Sequence, residues 1–85
     1  MANIEIYIWT HCPYCVRAKA LLASKGVKFT VHDITGDDAA RAKMVERTGG
    51  PRSVPQIFID DEHYGGCDDI HALDRAGKLD ALINA

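Results

Sequence analysis

Ile4-Glu5-Ile6-Tyr7-Ile8, then Trp9-Thr10-His11, then Cys12-Pro13-Tyr14-Cys15 running on into Val16-Arg17-Ala18-Lys19-Ala20-Leu21-Leu22: the reading of this stretch decides the fold. Residues 4–8 begin by alternating apolar and polar side chains and are rich in β-branched and aromatic types, the pattern of a strand. Residues 13–25 are dominated by Ala, Leu, Lys and Arg, gather Tyr14, Ala18, Leu21 and Leu22 on one face, and are followed by Gly26 where a helix C-cap stands. They read as a helix of about three turns. The strand therefore turns into the helix through two cysteines. Cys12 falls at the N-cap, where the unpaired N–H groups of the first turn and the positive end of the helix dipole both favour an anion, so a thiolate is stabilised there. Cys15 lies one turn further on nearly the same face, within reach of Cys12 but less open to solvent. Pro13 suits the first helical position, where its missing N–H would have had no partner.

Outward from this unit, residues 27–34 again carry β-forming side chains, with Phe29, Val31 and Asp33 opposite Thr30 and His32, and read as a second strand. Thr35-Gly36-Asp37-Asp38 supplies turn and N-cap chemistry, residues 39–48 are helical in composition, and Gly49-Gly50-Pro51 ends them. Residues 56–59, a turn at Asp60-Asp61 and residues 62–64 read as a hairpin, after which Gly65-Gly66 breaks the chain. Residues 67–76 and 79–83 read as one helix interrupted or terminated at Gly77. The order β-α-β-α-β-β-α predicts a single α/β domain over residues 1–85, a four-stranded mixed sheet flanked by helices. Its first two strands, joined through a helix, are expected to be parallel with a right-handed crossover.

Composition narrows the function. The 85 residues are 47% hydrophobic and 26% charged, with ten Lys plus Arg against twelve Asp plus Glu and a net charge of -2. At this size a fold buries only about 60 to 65% of the surface of its unfolded chain, enough for one core. The cations are spread along the chain and interleaved with acids, which argues against a nucleic-acid partner. No apolar run is long enough to span a membrane. Met1-Ala2-Asn3-Ile4-Glu5 lacks the basic start and apolar stretch of a secretory leader, so a reducing cytoplasm is the expected compartment. Three cysteines, an odd number, do not form a closed set of structural disulfides. A Cys-x-x-Cys pair in such a compartment is either redox-active or metal-binding. The zinc reading would recruit His11 and Cys67, but sites of that composition usually pair two such knuckles and only one is present.

The strand followed by Cys12-Pro13-Tyr14-Cys15, the later Ser53-Val54-Pro55, and Gly65-Gly66-Cys67-Asp68-Asp69 before the last helix together resemble a dithiol glutaredoxin of the small bacterial kind, essentially from end to end. The resemblance implies a thioredoxin-like fold and a glutathione-dependent thiol–disulfide oxidoreductase working through Cys12 and Cys15. Thioredoxins share the fold, but their redox loop reads Trp-Cys-Gly-Pro-Cys and they lack the Gly-Gly-Cys-Asp segment. An iron–sulfur carrier, with Cys12 and glutathione holding a bridging cluster between two subunits, is a rival from another class.

Physics alone reads Val54-Pro55 as a strand start or edge, since Pro donates nothing to a ladder. The resemblance implies instead a cis bond that turns the backbone of Val54 toward the cysteine loop, to pair with the cysteine of glutathione. Gly65-Gly66, opening a helix, offers the N–H groups of Cys67 and Asp68 to an anion. The implied glutathione-binding set is Tyr14, Arg52, Val54, Pro55, Gly66, Cys67, Asp68 and Asp69, with the Asp68 carboxylate meeting the γ-glutamyl ammonium. The Lys that the family often carries three residues before the nucleophile is Trp9 here, which leaves Arg52 to take the glycine carboxylate in part and Trp9 to pack on the first helix or the loop. Glutathione is then a co-substrate, with no permanently bound cofactor. The implied partners are glutathionylated and disulfide-containing proteins, the glutathione reductase system acts indirectly, and the chain is a monomer.

Overall fold

The structure, a computed structural model, describes residues 2–84. Alternation along the first strand sorts the molecule into two faces. In β1 (Ile4–Ile8), Ile4, Ile6 and Ile8 lie on one side of the sheet and Glu5 and Tyr7 on the other. β1 pairs in parallel with β2 (Thr30–Asp33) and antiparallel with β3 (Gln56–Ile59), and β3 pairs antiparallel with β4 (Glu62–Gly65). The sheet order is β2-β1-β3-β4, the expected mixed four-stranded sheet. β2 is shorter than the predicted 27–34, because the ladder with β1 runs only from Glu5 opposite Thr30 to Ile8 opposite Asp33.

Among the described residues four helices cover the sheet: α1 (Pro13–Ser24), α2 (Asp38–Thr48), α3 (Cys67–Arg75) and α4 (Leu79–Ile83). The last two correct the prediction of one C-terminal helix interrupted or terminated at Gly77. Gly77 adopts φ 73°, a left-handed conformation that stops α3, and the chain restarts as a separate short helix. α2 begins where Asp37 accepts from the amide of Ala40 at 3.0 Å and ends at left-handed Gly49.

One face is aliphatic. Ile4, Ile6, Ile8, Ile57 and Ile59 of the sheet pack with Cys15, Ala18 and Leu22 of α1, Cys67 and Ile70 of α3, and Leu79 and Ile83 of α4. Each such fully buried side chain contributes about 1.5 to 3 kcal/mol relative to exposure. Lys25, just past α1, ties these helices together through Asp74 at 2.5 Å and Asp80 at 3.0 Å.

The opposite face, under α2, buries Tyr7, Ile34, Met44 and Phe58 around a charged network. The Arg47 guanidinium grips Glu5 in a bidentate pair at 2.8 and 3.0 Å, donates to the Tyr7 hydroxyl at 2.8 Å, and lies 4.0 Å from the Phe58 ring centre. Arg47 beside it, with a smaller contribution from His32, holds the Glu5 carboxyl down at about 2 against the opposing effect of burial. Among the described residues no helix is long and apolar enough to cross a membrane.

Candidate active site

The redox loop sits at the C-terminal end of β1, pinned from the side. The Thr10 amide donates to Thr35 Oγ1 at 2.7 Å, and the two threonine hydroxyls are 2.8 Å apart, which fixes the approach to the cysteines against the β2–α2 turn. His11 then turns with φ 60° and is exposed. Cys12 is the N-cap of α1, with extended backbone, and Pro13 opens the helix as its composition requires. The Cys12 Sγ accepts the amide of Cys15 at 3.1 Å, so a helix-start N–H points directly at the sulfur that carries negative charge on ionisation. On its other side Cys12 Sγ lies 3.9 Å from the carbonyl oxygen of Val54. Cys12 is half-buried, whereas Cys15 is 1% exposed within the aliphatic face. Burial pushes the Cys15 thiol up to about 12, and its contact with Cys12 raises it further than burial alone would. The two thiols are chemically unlike although they are one turn apart.

Beside the redox loop runs a cleft of about 270 Å³. Tyr14, Ser53, Val54 and Pro55 form one wall, and Gly66, Cys67, Asp68 and Asp69 the other. The Val54–Pro55 bond is cis. Gly66 lets the two walls approach, since a Cβ there would stand only 3.2 Å from the Pro55 carbonyl oxygen. At Gly65, φ 99° and the Asp69 carboxylate together exclude a side chain. That carboxylate reaches back to accept the Gly66 amide at 2.9 Å, capping α3. Asp69 is thus already engaged. The Asp68 carboxylate is exposed and makes no hydrogen bond or ion pair among the described residues. Tyr14 is 54% exposed, with the Arg17 guanidinium 6.0 Å from its ring centre, and forms a rim rather than a lid on the core.

Seven of the eight residues in the implied glutathione set therefore line one cleft, and Arg52 does not. Arg52 lines a neighbouring hollow of about 360 Å³ with Asp38, Arg41, Ala42 and Val45. Trp9 also departs from expectation. It packs on the α2 side, beside the Tyr7 and Phe58 cluster rather than on α1, with the Arg41 guanidinium 4.7 Å above its ring. Arg41 in turn donates to the Arg52 carbonyl at 3.0 Å. Sequence reading had passed over Arg41. The signal was available in part: helical spacing in α2 sets it one turn beyond the N-cap Asp37, on the side of the Gly49–Arg52 return.

Cys67 is 4% exposed, and burial pushes its thiol up. It has a partner that the sequence reading did not give it, His71, whose Nδ1 lies 3.5 Å from the sulfur and 2.8 Å from the Cys67 carbonyl oxygen. That pair is legible at helical spacing i, i+4. His32 and His63 are likewise in side-chain networks, with Glu5 and Gln56. Among the described residues no three His, Cys, Asp or Glu side chains gather as a metal set.

A mixed sheet with this strand order, an N-cap thiol backed by a buried second thiol, and a cleft walled by a cis-proline loop and a helix start define a thioredoxin-like dithiol protein. Comparison with known proteins is specific beyond that. The glutaredoxin family model matches residues 4–64. A protein named probable glutaredoxin from Synechocystis is 61% identical over 84 residues, covering 99% of this chain and 96% of its own length. Glutaredoxin 3 of Escherichia coli is 58% identical over 83 residues, covering 98% and 99%. Among solved structures, a buckwheat glutaredoxin–glutathione complex superposes with a TM-score of 0.88 at 31% identity, covering 98% of this chain and 77% of that one. The solution structure of a Brucella melitensis glutaredoxin gives 0.84 at 51% identity, covering 98% and 89%. The chain belongs to the glutaredoxin family and is a glutathione-dependent thiol–disulfide oxidoreductase whose redox pair is Cys12 and Cys15.

Proposed function

We propose that Cys12 is the nucleophile, Cys15 the resolving thiol, and the cleft beside them the glutathione site. The observation that carries this reading is the amide of Cys15 directed at Cys12 Sγ while Cys15 itself is buried with its thiol pushed up to about 12. Of the two sulfurs, one is open to a substrate and faces a helix-start amide, and the other is held back as a buried thiol.

In deglutathionylation, Cys12 thiolate attacks the glutathionyl sulfur of a protein mixed disulfide. The protein sulfur leaves as a thiolate and takes a proton, and Cys12 becomes glutathionylated. A second glutathione thiolate attacks that bond, giving glutathione disulfide and free Cys12. With a protein disulfide, Cys12 forms the mixed disulfide with the target, and Cys15 loses its proton and displaces the target sulfur. The resulting Cys12–Cys15 disulfide takes two glutathiones to reduce. The contact and charge of Cys12 are among the causes that raise Cys15. The negative charge is lost once Cys12 is bonded to a substrate, which eases the ionisation of Cys15 at the step that needs it, while burial, the larger cause, still holds that thiol up.

The cleft suits the tripeptide end to end. Val54 offers backbone N–H and C=O to its cysteine residue, the Cys67 and Asp68 amides at the start of α3 face its γ-glutamyl carboxylate, and Asp68 meets its ammonium. At the opposite end the glycine carboxylate reaches the hollow where Arg41 and Arg52 stand, which replaces the lysine whose position Trp9 occupies. The partners are glutathione and glutathionylated or disulfide-bonded proteins, acted on by a monomer in the cytoplasm, with glutathione recycled by its reductase. The test is reduction of a glutathionylated small thiol coupled to glutathione and glutathione reductase. Turnover through thioredoxin reductase instead would overturn the assignment.

A further inference from the structure

Gln56 is the one polar or charged residue buried among the described residues, 4% exposed at the start of β3 and opposite Tyr7 in the ladder. A buried carboxamide has two donors and an acceptor to satisfy, and here all are used. Its Nε2 donates to the Ser53 carbonyl at 3.0 Å and stands 3.3 Å from the Ser53 hydroxyl. Its Oε1 is 2.5 Å from His63 Nε2 on β4. These neighbours dictate which way the amide faces. Turned over, it would set oxygen against the Ser53 carbonyl oxygen. For the same reason His63 must carry hydrogen on Nε2, a condition that both its imidazolium and one neutral tautomer meet. The His63 ring is itself held 5.1 Å from the Phe58 ring.

Ser53 and Gln56 bracket Val54 and Pro55, the residues whose backbone forms the cleft wall nearest Cys12. We propose that Gln56 is a positioning residue for glutathione recognition: it fixes where the Val54 amide and carbonyl stand relative to Cys12, and His63 fixes the orientation of Gln56. The inference rests on the reading of Val54 as the backbone that pairs with glutathione. Gln56 touches neither substrate nor sulfur; it acts through Ser53.

Three variants separate this role from packing. Gln56→Glu keeps shape and the acceptor for His63 but removes the donors to Ser53. His63→Phe keeps an aromatic ring against Phe58 but leaves Gln56 Oε1 without a donor, and His63→Gln restores one. Expected for Gln56→Glu is a rise of about fivefold in KM for a glutathionylated peptide, with kcat and the rate of Cys12 alkylation by iodoacetamide within about twofold of the parent. His63→Phe moves KM the same way by less, and His63→Gln returns it toward the parent value. An unchanged KM in both Gln56→Glu and His63→Phe, with only the unfolding midpoint lowered, overturns the proposal. Titrating reduced glutathione into the parent protein and following the Val54 amide resonance tells which step is at fault. If that resonance does not move, the glutathione reading of the wall fails and takes this inference with it. If it moves with the same affinity in Gln56→Glu as in the parent, the inference alone fails.

Discussion

The two faces of the sheet are built on opposite principles. Under α1, α3 and α4 the contacts are aliphatic, five isoleucines of β1 and β3 against Leu22, Ile70, Leu79 and Ile83. Under α2 the same strands present Glu5, Tyr7, Gln56 and Phe58, and the contacts are hydrogen bonds, ion pairs and rings with defined partners. The aliphatic face holds the larger set of buried side chains, and it seats the helix whose start carries Cys12. The polar face is intolerant of detail because every buried donor and acceptor has one acceptable arrangement. The difference teaches that this small chain seats its N-cap sulfur from the dry face and braces the Ser53–Pro55 loop beside it from the wet one.

The comparison breaks most visibly at the dithiol. Cys12→Ser is expected to abolish both reduction of protein disulfides and deglutathionylation, whereas Cys15→Ser, which alters only the buried partner, keeps deglutathionylation and loses protein-disulfide reduction. Assaying both variants on both substrates decides it, and equal loss of deglutathionylation would end the assignment of roles. Below Cys12 in the same face, Leu22→Ala should cost about 3 kcal/mol by transfer and cavity terms together, read as a lowered urea midpoint.

On the wet face, the effect is smaller and depends on pH. The Glu5 carboxyl is held at about 2 in the folded protein against an ordinary value of 4.5, so its contribution is fully present above 4.5 and is lost as pH falls from there toward 2. The expected loss across that window is about 2 to 3 kcal/mol, Glu5 being largely shielded from solvent. Arg47→Met removes the largest cause, so unfolding free energy measured against pH should lose the part of its acid slope that Glu5 supplies. The same slope in parent and variant would show that the network is ornamental. Leu22→Ala, by contrast, should lower the whole curve without changing its shape. The smallest effect belongs at the exposed rim: Asp68→Ala should weaken glutathione saturation by about 1 kcal/mol, as for a solvent-exposed charged pair, and leave the unfolding midpoint nearly unchanged. A lowered midpoint with unaltered saturation would make Asp68 a helix cap and remove it from the site.

What could be read from the chain follows the same division. The unit from Ile4 to Leu22 is local: a strand period, a proline at a helix start and two cysteines one turn apart need no knowledge of the rest. The Gly65-to-Asp69 wall is local as well, and its glycines are required by a positive φ and a close approach. Arg47 and Glu5, by contrast, are separated by 42 residues, and nothing near either one announces the other. A glutamate set between isoleucines was the only hint that a cation had to arrive from elsewhere. The sequence places Trp9 against α1 or the loop, the elements next to it in the chain, but its position past the end of β1 delivers it to the α2 side. Gly77 was recognised as a break, yet whether the chain resumes its course or changes direction there depends on Leu79 and Ile83 finding the aliphatic face.

The amide of Cys15 that stands 3.1 Å from the Cys12 sulfur has a further consequence. An N–H that stabilises this sulfur as an attacking anion stabilises it equally as a departing one. On the roles proposed above, a Cys12–glutathione disulfide is cut by the next thiol with Cys12 as the departing sulfur, and the same N–H is in place to receive it. On that reading one hydrogen bond serves both the attack that opens the cycle and the departure that closes it.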